Sequence, residues 1–217
     1  MDRRERLARS GLYVVTDARR NRGDLEDFLD AILEAGTDIV QLREEVEAGD
    51  LLPSAKVFRE AADRYGGLFV VNDRPDVALA AEADGVHVGQ NDLPPDVSRG
   101  ILGPDALVGL SCHSAAQLDN APPAADYVTA GPVHETPTKP GRPASGLGVV
   151  EHAARTVARP WFAIGGINRE TLPPVVAAGA ERIVVVRAVT DAEDPGAAVR
   201  ALRELLPKEC RDTKLPS

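Results

Sequence analysis

Eight short apolar runs recur along the chain, and amphipathic stretches separate them. The runs are Leu12–Val15, Asp38–Leu42, Leu68–Val71, Gly85–Val88, Leu107–Leu110, Tyr127–Ala130, Trp161–Ile164 and Arg182–Val186. Between them lie helical patterns such as Leu25–Ala35, Leu51–Tyr65, Leu147–Val157, Arg169–Ala178 and Pro195–Leu206. Strands that alternate with helices run parallel, because a helix must carry the chain back across the sheet. Runs such as FVV, IVV and FAI suit strands covered on both faces, where an antiparallel meander would alternate with polar residues. Eight such units in 217 residues predict one closed (β/α)₈ TIM barrel with short loops, with a doubly wound open sheet as the alternative. The related stretches AILEAGTDIV, ALAAEADGV and VVAAGAERIV each join a helix end to a strand. In two of them Gly36 and Gly179 stand where a helix C-cap is expected. The whole of 1–217 reads as a single domain, with a short helical segment at about 1–10 and a disordered tail expected at about 208–217.

Charge narrows the function. Lys and Arg number 25 against 34 Asp and Glu, a net charge of -9, which excludes a general nucleic-acid binder. Any phosphate ligand must meet a local positive field. Neither a membrane span nor a secretory signal is evident, since MDRRERLARS is charged and no apolar core follows it, so a cytoplasmic location is expected. Cys112 and Cys210 offer no disulfide framework or zinc spacing, and Cys112 is expected to stay a thiol.

In a parallel barrel the residues that follow each strand share one rim, and here they are rich in anion ligands. They include Gln41, Arg43 and Glu44, then Asn72 and Asp73, then Asp92, then Ser111 and His113, and finally Arg187. The loop Thr136-Pro137-Thr138-Lys139 supplies two hydroxyls and an amine suited to phosphate oxygens. Asp73 and Asp92 follow neighbouring strands and could face one magnesium ion, which takes one or two carboxylates and completes its shell with water and substrate phosphate. Taken singly, each Asp reads better as a helix cap; taken together with Lys139 and Arg43 on the same rim, the pair reads better as a metal-diphosphate site. In Ala163-Ile164-Gly165-Gly166-Ile167-Asn168 two glycines let backbone approach an anion, at the phosphate position usual for barrels. His87, inside a strand, reads as structural, and His152 as helix surface; His113 and His134 lie near the rim without a general-base context.

The order LYVVTDAR, QLRE, VNDR, HVGQND, GLSCH, GP with TPTK, AIGGIN and VVVRAV resembles the thiamine phosphate synthase family from Leu12 to about Leu206. That resemblance implies a (β/α)₈ barrel that joins hydroxymethylpyrimidine diphosphate to hydroxyethylthiazole phosphate and releases diphosphate. It implies that Gln41, Arg43, Glu44, Glu45, Asn72, Ser111 and Lys139 hold the pyrimidine diphosphate, with Arg43, Lys139 and Ser111 as the catalytic set. Thr136, Pro137, Thr138, Gly165, Gly166, Val186 and Arg187 would receive the thiazole phosphate, and Asp73 and Asp92 the magnesium. The implied partners are these small phosphorylated substrates, not nucleic acid or membrane, and a second copy of the chain is a candidate. The chain departs from the family at Glu45, where QLREE replaces QLREK and a lysine is expected, with Arg142 as a substitute cation. HETP also replaces the more usual aromatic-Pro form. The alternatives are a thiazole tautomerase-like barrel and a non-catalytic paralogue that binds thiamine precursors.

Overall fold

The computed structural model describes residues 1–135 and 143–207. The chain opens with helix α1 (Arg3–Arg9), strand β1 (Leu12–Thr16), α2 (Leu25–Glu34), β2 (Ile39–Leu42), α3 (Ala48–Tyr65) and β3 (Leu68–Asn72). Next come α4 (Pro75–Ala80), β4 (Gly85–Val88), α5 (Pro95–Leu102), β5 (Leu107–Cys112), α6 (Ala115–Asp119) and β6 (Tyr127–Ala130). The series ends with α7 (Gly146–Thr156), β7 (Trp161–Ile164), α8 (Leu172–Ala177), β8 (Ile183–Val185), α9 (Arg187–Thr190) and α10 (Pro195–Leu205). All eight strands pair in parallel in chain order, and β8 returns to β1, so the sheet is a closed barrel and the open-sheet alternative is excluded. Residues 208–217, with the expected tail and Cys210, lie outside the described residues, as does 136–142 with Thr136, Pro137, Thr138, Lys139 and Arg142.

Strand alternation sends successive side chains to opposite faces and builds two cores. Tyr13, Val15, Ile39, Leu68, Val70, Leu107, Tyr127, Phe162 and Val184 fill the barrel interior, which Leu7 of α1 joins. Their neighbours Leu12, Val14, Val40, Phe69, Val71, Val108 and Val128 face outward and meet the helices. Strands β3 and β5 run past the sequence-based limits to Asn72 and Cys112, because pairing continues while the inward positions turn polar. Helix α8 is shorter than Arg169–Ala178. The Asn168 carboxamide accepts from the amides of Glu170 and Thr171 at 2.9 Å each, a turn that delays the helix to Leu172.

Helices α2 and α8 end in the same way. Gly36 (φ 107°) and Gly179 (φ 103°) adopt positive φ. Their amides, and the amides that follow, return to Leu33 and Ile32 and to Val176 and Val175 respectively. The third related segment, after α4, closes identically with Glu82 at φ 51°, its amide on Leu79 and that of Ala83 on Ala78. A residue with a Cβ is disfavoured in this left-handed conformation. Glu82→Gly is therefore expected to raise stability by about 0.5–1 kcal/mol, the relief of strain exceeding the added freedom of the unfolded chain. Chemical denaturation of the two proteins measures it.

Candidate active site

A cavity of about 380 Å³ opens at the C-terminal rim of the barrel. One inward residue from the end of each strand lines it: Val15, Gln41, Asn72, His87, Ser111, Thr129, Ile164 and, just past β8, Val186. The same period of two that packs aromatic and aliphatic side chains below thus delivers amide, imidazole and hydroxyl groups above. Arg43, Gly165 and Gly166 on the loops and Arg187 at the start of α9 also line it.

Two hydrogen-bonded chains organise the polar floor. Gln41 Nε2 donates to Asn72 Oδ1 at 3.4 Å, and Asn72 Nδ2 donates to Asp73 Oδ2 at 2.6 Å. On the other side His87 Nε2 lies 2.9 Å from Ser111 Oγ. Gln90 Nε2 donates to the Ser111 carbonyl at 2.6 Å, which ties the β4 loop to β5.

Asp73 and Asp92 follow β3 and β4, which pair directly. Asp73 sits at φ 59° with its amide donating to the His87 carbonyl at 2.8 Å, a left-handed conformation that Asp tolerates better than most residues. Neither Asp caps a helix, because the cap positions of α4 and α5 are Arg74 and Pro94. Asp92 does have a turn role, its Oδ2 accepting from the Gly89 amide at 2.8 Å. Among the described residues no group of three His, Cys, Asp or Glu side chains could hold a metal ion. Neither Asp73 nor Asp92 is among the cavity-lining residues, and one oxygen of each accepts a hydrogen bond within the protein, from Asn72 and from the Gly89 amide; carboxylate oxygens are nonetheless the hard ligands that magnesium takes.

The QLREE segment divides sharply. Arg43 lines the cavity, whereas Glu44 pairs with Arg20 at 3.1 Å and is not among the lining residues. The Glu45 side chain is 93% exposed, and its Oε1 lies 3.7 Å from Arg43 Nη2. Glu45 therefore stands in solvent and draws on the positive field of the cation that faces the cavity.

Across the rim, Gly165 (φ 108°) and Gly166 (φ 62°) let the β7 loop meet the β6 loop. A Cβ on Gly165 would fall 2.5 Å from Pro132, and one on Gly166 2.7 Å from the His134 Cβ. The Val133 and His134 amides donate to Ile164 and Gly165 at 2.8 and 3.1 Å. Beside them α9 is braced by cations, as Arg22 and Arg19 donate to the Thr190 carbonyl at 2.8 and 3.3 Å. Buried Arg19 also holds both oxygens of Asp24 at 2.7 Å and lies 3.9 Å over the Phe28 ring. This brace is invisible in the sequence, where Arg19 looks like one of several loop arginines.

The cavity wall also includes residues outside the loops. Thr129 and Tyr13 lie within strands, and only the inward register that starts from Gln41 or Ser111 would have pointed to them. His87 is interior to the barrel and also part of the cavity wall. Nδ1 of His113 lies 2.7 Å from the Gly131 carbonyl, so it carries a proton. His152 pairs with Asp119 on the helical surface. Cys112 stays a thiol, because burial pushes it up to about 11.

A closed parallel barrel with a polar, cation-bearing cavity at its C-terminal rim is the architecture of a (β/α)₈-barrel enzyme. A family model described as thiamine monophosphate synthase matches residues 12–189. The chain is 54% identical over 196 residues to the thiamine-phosphate synthase of Acidothermus cellulolyticus, covering 88% of this chain and 92% of that one. It is 51% identical over 211 residues to that of Mycolicibacterium smegmatis, covering 92% and 93%. A solved thiamine phosphate pyrophosphorylase from Pyrococcus furiosus matches with a TM-score of 0.82 at 33% identity, over 92% of this chain and 96% of that one. The chain belongs to the thiamine monophosphate synthase family and is a transferase. Among the described residues no helix is long and apolar enough to cross a membrane.

Proposed function

We propose that this barrel joins hydroxymethylpyrimidine diphosphate to hydroxyethylthiazole phosphate, releasing diphosphate and forming thiamine phosphate. The observation that carries this reading is the convergence of Gln41, Arg43, Asn72 and Ser111 on one cavity; Asp73 and Asp92, which are not among the lining residues, follow the adjacent strands β3 and β4. Gln41 and Asn72 present amide groups suited to an aminopyrimidine edge, while Arg43 supplies charge for phosphate oxygens. Asp73 and Asp92 would hold magnesium, which when bound neutralises charge on the diphosphate.

In this reading bond breaking leads. Departure of diphosphate leaves a cation on the pyrimidine methylene, stabilised by the electron-rich ring, and the thiazole nitrogen then donates its electron pair to that carbon. Arg43 and Lys139 stabilise charge on the leaving diphosphate, and Ser111 adds a hydrogen bond. The glycine segment Gly165–Gly166, Val186 and Arg187, with Thr136, Pro137 and Thr138, fix the thiazole phosphate so that its nitrogen faces the carbon. No nucleophilic side chain is required.

Initial rates of diphosphate release, with each substrate varied and magnesium then chelated, test the reading. Release is expected only with both substrates and is expected to stop in chelator; full activity in excess chelator contradicts the metal assignment. The same assay examines Glu45. With its side chain 93% exposed and paired to Arg43 at 3.7 Å, Glu45→Lys should lower the KM for the pyrimidine substrate up to about fivefold. The gain should shrink as salt screens the pair, and an unchanged KM at low salt would show that Glu45 does not weaken the Arg43 field.

A further inference from the structure

Below Ser111 a line of polar groups descends into the barrel interior. Tyr127 Oη lies 3.3 Å from His87 Nδ1, and Tyr13 Oη lies 3.1 Å from Tyr127 Oη. With His87 Nε2 at 2.9 Å from Ser111 Oγ, four side chains from β1, β6, β4 and β5 form one chain. The sequence is fitted to it. Gly109 stands in register between His87 and Tyr127, and a Cβ there would lie 2.4 Å from His87 Nδ1 and 2.2 Å from Tyr127 Cζ. Residue 109 lacks a side chain where the imidazole and the phenol meet across β5.

With a neutral imidazole, such a chain can carry its protons in only two directions. If Ser111 donates to Nε2, then His87 Nδ1 donates to Tyr127, Tyr127 donates to Tyr13, and the last proton, on Tyr13, needs an acceptor. Tyr13 borders the cavity yet is 1% exposed, packed among Leu68, Phe162 and Val184, and Tyr127 is the one hydrogen-bond partner of its hydroxyl among the described residues. The reverse direction avoids that cost: Tyr13 donates to Tyr127, Tyr127 to Nδ1, and Nε2–H to Ser111 Oγ. Burial also pushes the ionisation of both phenols up, so each keeps the proton that this direction uses.

We propose that His87, oriented by Tyr127 and Tyr13, is a positioning residue that makes Ser111 a hydrogen-bond donor toward the cavity. By occupying an acceptor site of Oγ, Nε2–H leaves the hydroxyl proton to point at the ligand. A phosphate oxygen, rich in lone pairs and poor in protons, is the partner that such a donor selects. This inference rests on the reading of Ser111 as a diphosphate ligand.

Two measurements test it. Nitrogen-15 NMR of the full-length, ligand-free protein reads the imidazole tautomers, with the His87 signals identified by their loss in His87→Gln. The expected result is protonated Nε2 and bare Nδ1 at neutral pH; protonated Nδ1 with bare Nε2 overturns the proposal. This readout needs no turnover, so it separates failure of this inference from failure of the proposed reaction. Kinetics supply the second. His87→Leu, which removes the N–H donor, should raise the KM for the pyrimidine diphosphate about tenfold, and His87→Gln, which retains one, should recover most of that loss. Equal KM values in the parent and both variants overturn it. If the leucine variant does not fold, the tautomer still decides.

Discussion

Asp73→Asn is expected to lower kcat at least a hundredfold while leaving the melting temperature unchanged. Under the proposed function, the substitution would remove one of the two carboxylates that hold magnesium after the paired strands β3 and β4. A hundredfold loss corresponds to about 2.7 kcal/mol of transition-state stabilisation, a reasonable share for one carboxylate at a metal–diphosphate site. The fold should not notice. Asp73 sits at φ 59°, and Asn is at least as tolerant of this left-handed region. Its side chain also keeps an oxygen for the 2.6 Å hydrogen bond from Asn72. Steady-state rates beside a thermal melt separate these effects, and near-parental turnover would remove Asp73 from the metal site.

Asp84→Ala should have the opposite profile, destabilising the protein by about 3–5 kcal/mol with little direct effect on the cavity. Asp84 is 4% exposed on the far side of the barrel from the rim, just before β4. It accepts from the Phe69 amide at 2.8 Å, from Arg59 Nη1 at 2.8 Å and from Arg3 Nε at 3.0 Å. The carboxylate thus joins α1, α3 and the β3–β4 pair at one point. Its loss leaves a buried backbone donor unpaired and takes the central charge from two arginines, although Asp63 still holds Arg59 at 2.7 Å. For a chain of this size the melting temperature should fall by roughly 6–20 °C. Acid gives a second signature. Burial works to raise this carboxyl, but the Phe69 amide and the two arginines outweigh it and hold the group below the ordinary 3.8. A lowered folded value means stability that is present above about pH 3.8 and lost as pH falls through the folded value. The parent should therefore lose this increment in that acid range, and the variant should have none to lose; parallel acid-stability curves would contradict it.

The barrel was legible because β/α alternation and strand apolarity reflect burial on both faces of a parallel sheet. The strands could be located to within a residue or two. Short helices such as α4 and α6 were harder, since five or six residues give too little periodicity to read. The left-handed Glu82 was hidden for a different reason: its two sister positions hold Gly36 and Gly179, and nothing in a glutamate announces positive φ. At the rim, Gln41, Arg43, Asn72 and Ser111 could be read from their place at strand ends, and they share one cavity. Thr129 is hard to single out because it is one polar residue inside an apolar strand, and only the strand register shows that it faces inward. Within the strand GVHV, His87 has the sequence context of a structural residue. Its two ring nitrogens instead connect the interior phenols to the cavity hydroxyl, a relation between strands distant in sequence. Glu45 was conspicuous as a departure, but only three-dimensional placement distinguishes a carboxylate in solvent beside Arg43 from one aimed at the ligand.

The most direct test of the proposed reaction is to identify its product. The purified full chain is incubated with hydroxymethylpyrimidine diphosphate carrying a carbon-13 methylene, hydroxyethylthiazole phosphate and magnesium, and the mixture is followed by carbon NMR and mass spectrometry. The account predicts that the labelled carbon becomes bonded to the thiazolium nitrogen in thiamine phosphate, with one diphosphate released per product. Unchanged substrates under conditions in which both bind, or diphosphate release with the label ending on water alone, would contradict it.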